Sequence, residues 1–183
     1  MSQTAFTVAD LDLMPDDGNR YELIEGELFV SRSPNLAHQR CSFKLSGTFF
    51  VYLEANPIGE ALYTPGVLFD EINAVIPDLV YFSNERRAEI AAGTRISGAP
   101  DLVVEIVSPG SENERRDRIF KRDLYAKFGV SEYWILDPAL RCVEVYRHDG
   151  ETLAFFAMLG PENELTSPLL PGYSALIGGL FPE

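Results

Sequence analysis

The run Leu102-Val103-Val104-Glu105-Ile106-Val107 constrains this fold more than any other segment. Asp101 opens it, and Ser108-Pro109-Gly110-Ser111 breaks it, so it reads as one short strand, Asp101–Val107. A glutamate inside so apolar a strand is informative, because a buried carboxylate must be paired or must bind a metal ion. The competing reading is an edge strand with Glu105 on a solvated face.

Strand periodicity surrounds that run. Ala61–Tyr63, Val67–Asp70 and Asp78–Phe82 read as strands, and the polar stretch from Ser83 to Gly98 reads as a loop with at most a helical turn. Upstream, Tyr21-Glu22-Leu23-Ile24 and Glu27-Leu28-Phe29-Val30 flank Glu25-Gly26, the pattern of a β-hairpin. Ser33-Pro34 resembles a helix start with serine as the cap, and Cys41, Leu45, Phe49 and Tyr52 then recur at helical spacing up to about Glu54. A second helix is expected from about Glu112 to Phe128, stopped by Gly129. Strand Glu132–Leu136 follows, then a hairpin of Cys142–Arg147 with Leu153–Met158, and an apolar tail to Phe181. Residues 1–20 form a polar lead-in. This order predicts a mixed α/β (α+β) fold in one domain spanning 1–183, without the regular alternation or the glycine fingerprint of a dinucleotide-binding fold. The length of 183 residues suits one domain.

Cys41 and Cys142 are the only cysteines, each in an apolar periodic segment, so free buried thiols in a reduced, cytoplasmic protein are expected. Two cysteines and two histidines this scattered build no zinc site. No segment has the length and apolarity of a membrane span, and Met1–Met14 lacks the basic start of a signal peptide. The net charge of −13 argues against passive binding to nucleic acid or anionic membrane, so any nucleic-acid contact needs a local basic strip. Arg115, Arg116, Arg118 and Arg122 supply one candidate strip, and Arg86, Arg87 and Arg95 another.

Geometry selects among the acids. Asp101 and Glu105 share a face but stand about 13 Å apart along a strand. If the strands that begin at Asp78 and Asp101 are antiparallel neighbours, Asp78 falls beside Glu105 and Asp101 is remote. Two carboxylates converging there suit Mg²⁺ or Mn²⁺, with waters and a phosphate completing the shell. On the second helix Phe120, Leu124 and Phe128 define the apolar stripe, and Asp117 and Lys121 lie within or beside it. A lysine facing the sheet needs a carboxylate partner, for which Glu105 and Asp78 are candidates; the alternative is an exposed Asp117–Lys121 pair. His38 falls on the core-facing arc of the first helix. Glu22 and Glu27 on the hairpin reach toward the same pocket unless they are solvated.

These residues carry a family resemblance. Tyr21-Glu22-Leu23-Ile24-Glu25-Gly26-Glu27-Leu28, His38-Gln39-Arg40, Pro77-Asp78-Leu79, Pro100 through Pro109, Asp117 with Lys121, Gly129 through Trp134, and Leu170-Pro171-Gly172-Tyr173 look like the Uma-two family, in that family's order. The family is described as restriction-endonuclease-like and is placed in the PD-(D/E)XK superfamily. The resemblance implies a core of helix, three strands, helix and strand, with hairpins added at both ends. It implies an endonuclease that hydrolyses DNA with Mg²⁺ or Mn²⁺ held by Asp78 and Glu105, supported by His38, Asp117 and Glu27. Val107 occupies the position of the superfamily's lysine, and the resemblance places the catalytic lysine on the next helix, at Lys121. DNA is the implied partner, and such enzymes often act as homodimers. The alternative is a catalytically inactive nucleic-acid-binding or regulatory module on the same fold.

Overall fold

Two neighbouring residues with positive φ, Glu25 (52°) and Gly26 (74°), close the first hairpin, joining β1 (Arg20–Ile24) to β2 (Glu27–Ser31) with Ile24 opposite Glu27. That backbone is the tight turn whose twist matches the flanking strands. A side chain at Gly26 would collide with Ala5, whose Cβ lies 2.7 Å from where a Cβ would stand. The structure is a computed structural model and describes residues 5–91, 93–108, 110 and 114–182. The polar lead-in holds one helical turn, α1 (Val8–Leu11).

Helix α2 (Leu36–Ala55) is capped by Asn35, not Ser33: the Asn35 side chain accepts from the His38 amide at 2.9 Å. Asparagine caps as well as serine does, and Pro34 stands just ahead of the cap. Cys41, Leu45 and Phe49 on its inner face are buried against the larger sheet.

That sheet has the order β11-β10-β9-β8-β6-β3, formed by β3 (Gly59–Tyr63), β6 (Leu79–Ser83), β8 (Leu102–Ile106), β9 (Glu132–Asp137), β10 (Cys142–His148) and β11 (Leu153–Leu159). Strand β8 lies inside it, antiparallel to β6 and parallel to β9, and all five of its residues are buried. Glu105 therefore sits on a buried central strand, and the edge-strand alternative falls. Leu102, Val104 and Ile106 pack toward α2, whereas Val103 and Val107 join the cluster on the opposite face. Alternation sends Glu105 to that second face.

A smaller sheet, β2-β1-β5-β4-β7, covers part of the second face with β4 (Val67–Asp70), β5 (Asn73–Val75) and β7 (Ile96–Ser97). Val67–Asp70 is thus a strand, as its periodicity suggests, but it belongs to this sheet and not to the core sheet. The stretch expected to be a loop after Ser83 holds helix α3 (Asn84–Ile90), with the Ser83 hydroxyl accepting from the Arg86 amide at 3.2 Å.

The second helix is described from Glu114; its expected start at Glu112 lies outside the described residues. Arg116–Lys121 is wound as a π-helix and continues as α4 (Arg122–Lys127). Strands β12 (Glu164–Ser167) and β13 (Leu170–Leu176) form the last hairpin, and α5 (Ile177–Leu180) follows it into the core beside α2. Cys41 and Cys142 are both free and buried. No helix among the described residues is long and apolar enough to cross a membrane.

Candidate active site

Antiparallel pairing of β6 with β8 sets Leu79 opposite Val104, and so brings Asp78, just ahead of β6, beside Glu105. Both carboxylates are buried at 3% exposure and line one cavity of about 450 Å³. Asp101 lies away from it and accepts from the Ser83 amide at 2.7 Å. The antiparallel pairing on which the sequence argument was conditional is the pairing observed.

Asp78 is held from three sides. Its Oδ1 lies 3.0 Å from His38 Nε2 and 3.4 Å from Arg20 Nη1, and its Oδ2 accepts from the Ile106 amide at 2.8 Å. The Nε2–H of His38 donates to the carboxylate, which leaves Nδ1 facing the Ser108 hydroxyl at 3.4 Å. Burial works to raise the Asp78 pKa, but the His38 hydrogen bond and charge, the Ile106 amide and Lys121 outweigh it and hold the carboxyl below its ordinary value.

Glu105 has the opposite fate. Its Oε1 accepts from Lys121 Nζ at 2.9 Å and from the Tyr125 hydroxyl at 2.7 Å, while its Oε2 takes part in no hydrogen bond among the described residues. Burial pushes Glu105 up to about 8; Lys121 pulls it down, and Asp78, Asp117 and Glu22 push it further up. Lys121 is itself 1% exposed and bridges Glu105 to Glu22 Oε1, 2.8 Å away. Burial opposes its charge, but Glu105, Glu22 and Asp117 overcome that and hold its pKa above the usual lysine value. Lysine 121 is therefore a charged, desolvated ammonium aimed at the Glu105 carboxylate. The exposed Asp117–Lys121 pair does not form.

The π-helical turn explains how three charged residues of one helix converge. Arg116 and Lys121 are five residues apart and would diverge by about 140° on an α-helix, but they stand about one turn apart on a π-helix. Arg116 Nε donates to Asp117 Oδ1 at 3.0 Å, and its Nη1 lies 3.9 Å from Glu22 Oε2. Burial leaves the Asp117 pKa raised despite Lys121 and Arg116. The Asp117 carbonyl is pinned by the Tyr133 hydroxyl at 2.9 Å.

Three sequence expectations change. Glu27 is exposed and lines a separate surface hollow with Phe29 and Phe120; Glu22, on the other strand of the hairpin, enters the site instead, with Oε1 also accepting from the Ile76 amide at 2.8 Å. One face of β1 carries Arg20 and Glu22 inward, and the charged pair at a two-residue spacing was the available signal. The four arginines of the second helix do not form a strip. Arg116 turns into the cavity, and Arg118 binds Asp137 and Glu144 at 2.8 and 2.9 Å. Arg122 lies over the Tyr146 ring, and the exposed Arg115 lies over Phe120. The second candidate strip is dispersed too, with Arg86 paired to Glu89, Arg87 to Glu60 and Arg95 to Asp12. The arginines that line the cavity are Arg20, Arg32 and Arg116. Finally, β8 ends at Ile106, and Val107 lines a neighbouring cavity with Leu140 and Met158.

A buried acid pair at the mouth of a mixed sheet, with an inward lysine from the following helix, defines a restriction-endonuclease-like protein. The profile of the Uma2 family, described as "Putative restriction endonuclease", matches residues 8–178, and the chain belongs to that family. Among solved structures, a nuclease described as putative, from Anabaena variabilis ATCC 29413, is similar over 96% of this chain and 97% of its own. The two are 22% identical with a TM-score of 0.75, which shows a shared fold. The type IIG restriction endonuclease BpuSI aligns over 78% of this chain and 14% of its own, at 13% identity and a TM-score of 0.41, a likeness too slight to carry an argument. No curated protein matches the chain.

Proposed function

We propose that this chain is a divalent-metal-dependent endonuclease that hydrolyses phosphodiester bonds of DNA. The observation that carries the reading is the pair Asp78–Glu105, cross-strand neighbours in one cavity, with Lys121 Nζ 2.9 Å from Glu105. The donor set fits Mg²⁺ or Mn²⁺. Both side chains offer hard carboxylate oxygens, and among the described residues Glu105 Oε2 has no hydrogen-bond partner and Asp78 Oδ2 accepts only from the Ile106 amide. Four acidic side chains (Glu22, Asp78, Glu105, Asp117) and four permanent cations (Arg20, Arg32, Arg116, Lys121) line the cavity. Such an ion, when bound, supplies a lowered pKa for water and neutralises charge building on the phosphate.

The chain's own residues do the rest. His38 and the Ile106 amide fix the Asp78 carboxylate, and Tyr125 fixes Glu105, so neither acid has to reorganise. Lys121 has three donors, of which Glu105 and Glu22 take two. The third is left for a phosphate oxygen or for the attacking water. Arg20 and Arg32 at the cavity offer the local positive charge that a chain of net charge −13 needs to hold a polyanion.

The test is incubation of supercoiled plasmid, single-stranded DNA and RNA with the protein in Mg²⁺, Mn²⁺ or EDTA, beside Asp78→Asn. Metal-dependent DNA cleavage lost in Asp78→Asn is expected. DNA binding without cleavage, unchanged in Asp78→Asn, would instead mark an inactive binding module. Cleavage of RNA alone would overturn the substrate assignment.

A further inference from the structure

Helix α2 turns a second face outward, away from the sheet. Leu36, Phe43 and Phe50 recur there at seven-residue intervals and are 68%, 81% and 66% exposed; Val51 beside them is 70% exposed. Arg40, Gly47 and Glu54 form a second row at the same interval, also exposed. All seven fall within an arc of about 100° centred opposite the buried face of Cys41, Leu45 and Phe49. Large apolar side chains gathered on one helix face mark an interaction surface. A strict heptad repeat is the spacing by which two helices pack nearly antiparallel or parallel along their length.

We propose that a second copy of this chain covers this face, α2 packing antiparallel on its own symmetry mate about a two-fold axis at Gly47. The arrangement of charge selects a copy of the same chain over another partner. Arg40 and Glu54 lie seven residues either side of Gly47, so the two-fold sets each Arg40 opposite the partner's Glu54, twice. Neither residue takes part in an ion pair with another described residue. The same axis sets Phe43 against Val51 of the mate. A parallel pairing in register would set Arg40 on Arg40 and Glu54 on Glu54. Gly47, costly in the middle of a helix, has nothing within 4 Å of where a Cβ would stand. Its place at the axis gives that cost a reason, since the absent side chain lets two helix backbones approach closely. One helix face is small beside the usual interface area, so the dimer is concentration-dependent. This inference does not rest on the reading of the acidic site.

Sedimentation equilibrium of the full chain, from about 1 to 200 µM, tests it over the range expected for a small interface. A monomer–dimer equilibrium is expected. Arg40→Glu and Glu54→Arg should each weaken it at least about tenfold, because each sets like charges together at both ends. An equimolar mixture of the two variants should recover the dimer, since one chain is then acidic at both ends and the other basic at both. The antiparallel two-fold predicts both the weakening by each single reversal and the rescue, whereas a parallel pair has like charges together in the parent and in each single variant and so predicts no weakening. Gly47→Gln should raise the melting temperature at low concentration, through better helix propensity, while loosening the dimer. That opposite pair of responses separates lost association from lost folding. A chain that stays monomeric throughout overturns the proposal. So does a dimer that ignores both charge reversals but is lost on Phe155→Asp, which would place the interface on the exposed apolar edge strand β11.

Discussion

The π-helical turn carries two charge clusters, one on each side, built from the same parts with opposite results. On one side Arg118 binds Asp137 and Glu144. On the other Lys121 binds Glu105 and Glu22. Asp137 also accepts the amides of Ala139 and Leu140, and Tyr146 donates to Glu144. Burial works to raise Asp137, but the Leu140 and Ala139 amides and Arg118 more than offset it, and its pKa falls below the ordinary value. Glu105 is more deeply buried and, among the described residues, accepts from Lys121 and Tyr125 but from no backbone amide; its pKa climbs to about 8. A cluster with enough donors is cement, and a buried one short of donors has a vacancy that a proton or a metal ion can fill.

The contrast breaks most visibly at the two cations. Lys121→Met should lower metal-dependent cleavage by about 10²-fold or more, the scale of other electrostatic stabilisers, and should also destabilise the fold by leaving Glu22 and Glu105 uncompensated. Single-turnover rates corrected for the folded fraction by circular dichroism separate the two effects. An unchanged rate would reduce Lys121 to a structural ion pair. Arg118→Met should do the converse. It should cost about 1–3 kcal/mol in urea unfolding and leave the cleavage rate of the folded fraction intact.

The pH response sharpens the same comparison, because the two acids shift in opposite directions. Glu105 is raised from 4.5 to about 8, so its folded-state proton contributes stability that is full below the ordinary value and is lost as pH rises through 8. Asp137 is lowered from 3.8, so its contribution is present above that value and is lost as pH falls through the folded one. Metal-free protein should therefore lose melting temperature between about pH 5 and 8, and Glu105→Gln should flatten that slope. Asp137→Asn should leave this slope alone and flatten only the acid limb. Metal affinity should rise over the same window as the Glu105 proton is displaced, read by calorimetry in buffers of different ionisation enthalpy.

The smallest effect belongs to Glu27, whose neighbour in the hairpin does the work once expected of it. Glu27→Gln should change stability by no more than about 0.5 kcal/mol and leave metal affinity unchanged. Glu22→Gln, measured beside it, should loosen Lys121 and reduce cleavage. Equal behaviour of the two variants would remove Glu22 from the site.

Local periodicity and turn chemistry determined much of this protein from the sequence alone. The Glu25-Gly26 turn, the core face of α2 and the strand around Glu105 follow from backbone spacing within a few residues, whereas the placement of Asp78 beside Glu105 followed only on the condition that their strands pair antiparallel, as they do. The inward lysine follows from such spacing too, because Lys121 borders an apolar stripe that has to face the sheet. Other features depended on partners distant in the chain. Whether Glu22 or Glu27 is buried is set by the smaller sheet folding over the second face of the larger one. The assignment of Val67–Asp70 to that smaller sheet is equally non-local, since an isolated strand pattern does not name its neighbours. Arg116 enters the site because the helix is wound as a π-turn, and no hydrophobic repeat announces a change from 3.6 residues per turn. The arginines scatter for the same reason that surface charges generally do: each takes the carboxylate or ring that tertiary packing sets beside it. Strand and helix faces are written in single-residue spacing, whereas the company a charge keeps is decided only when distant segments meet.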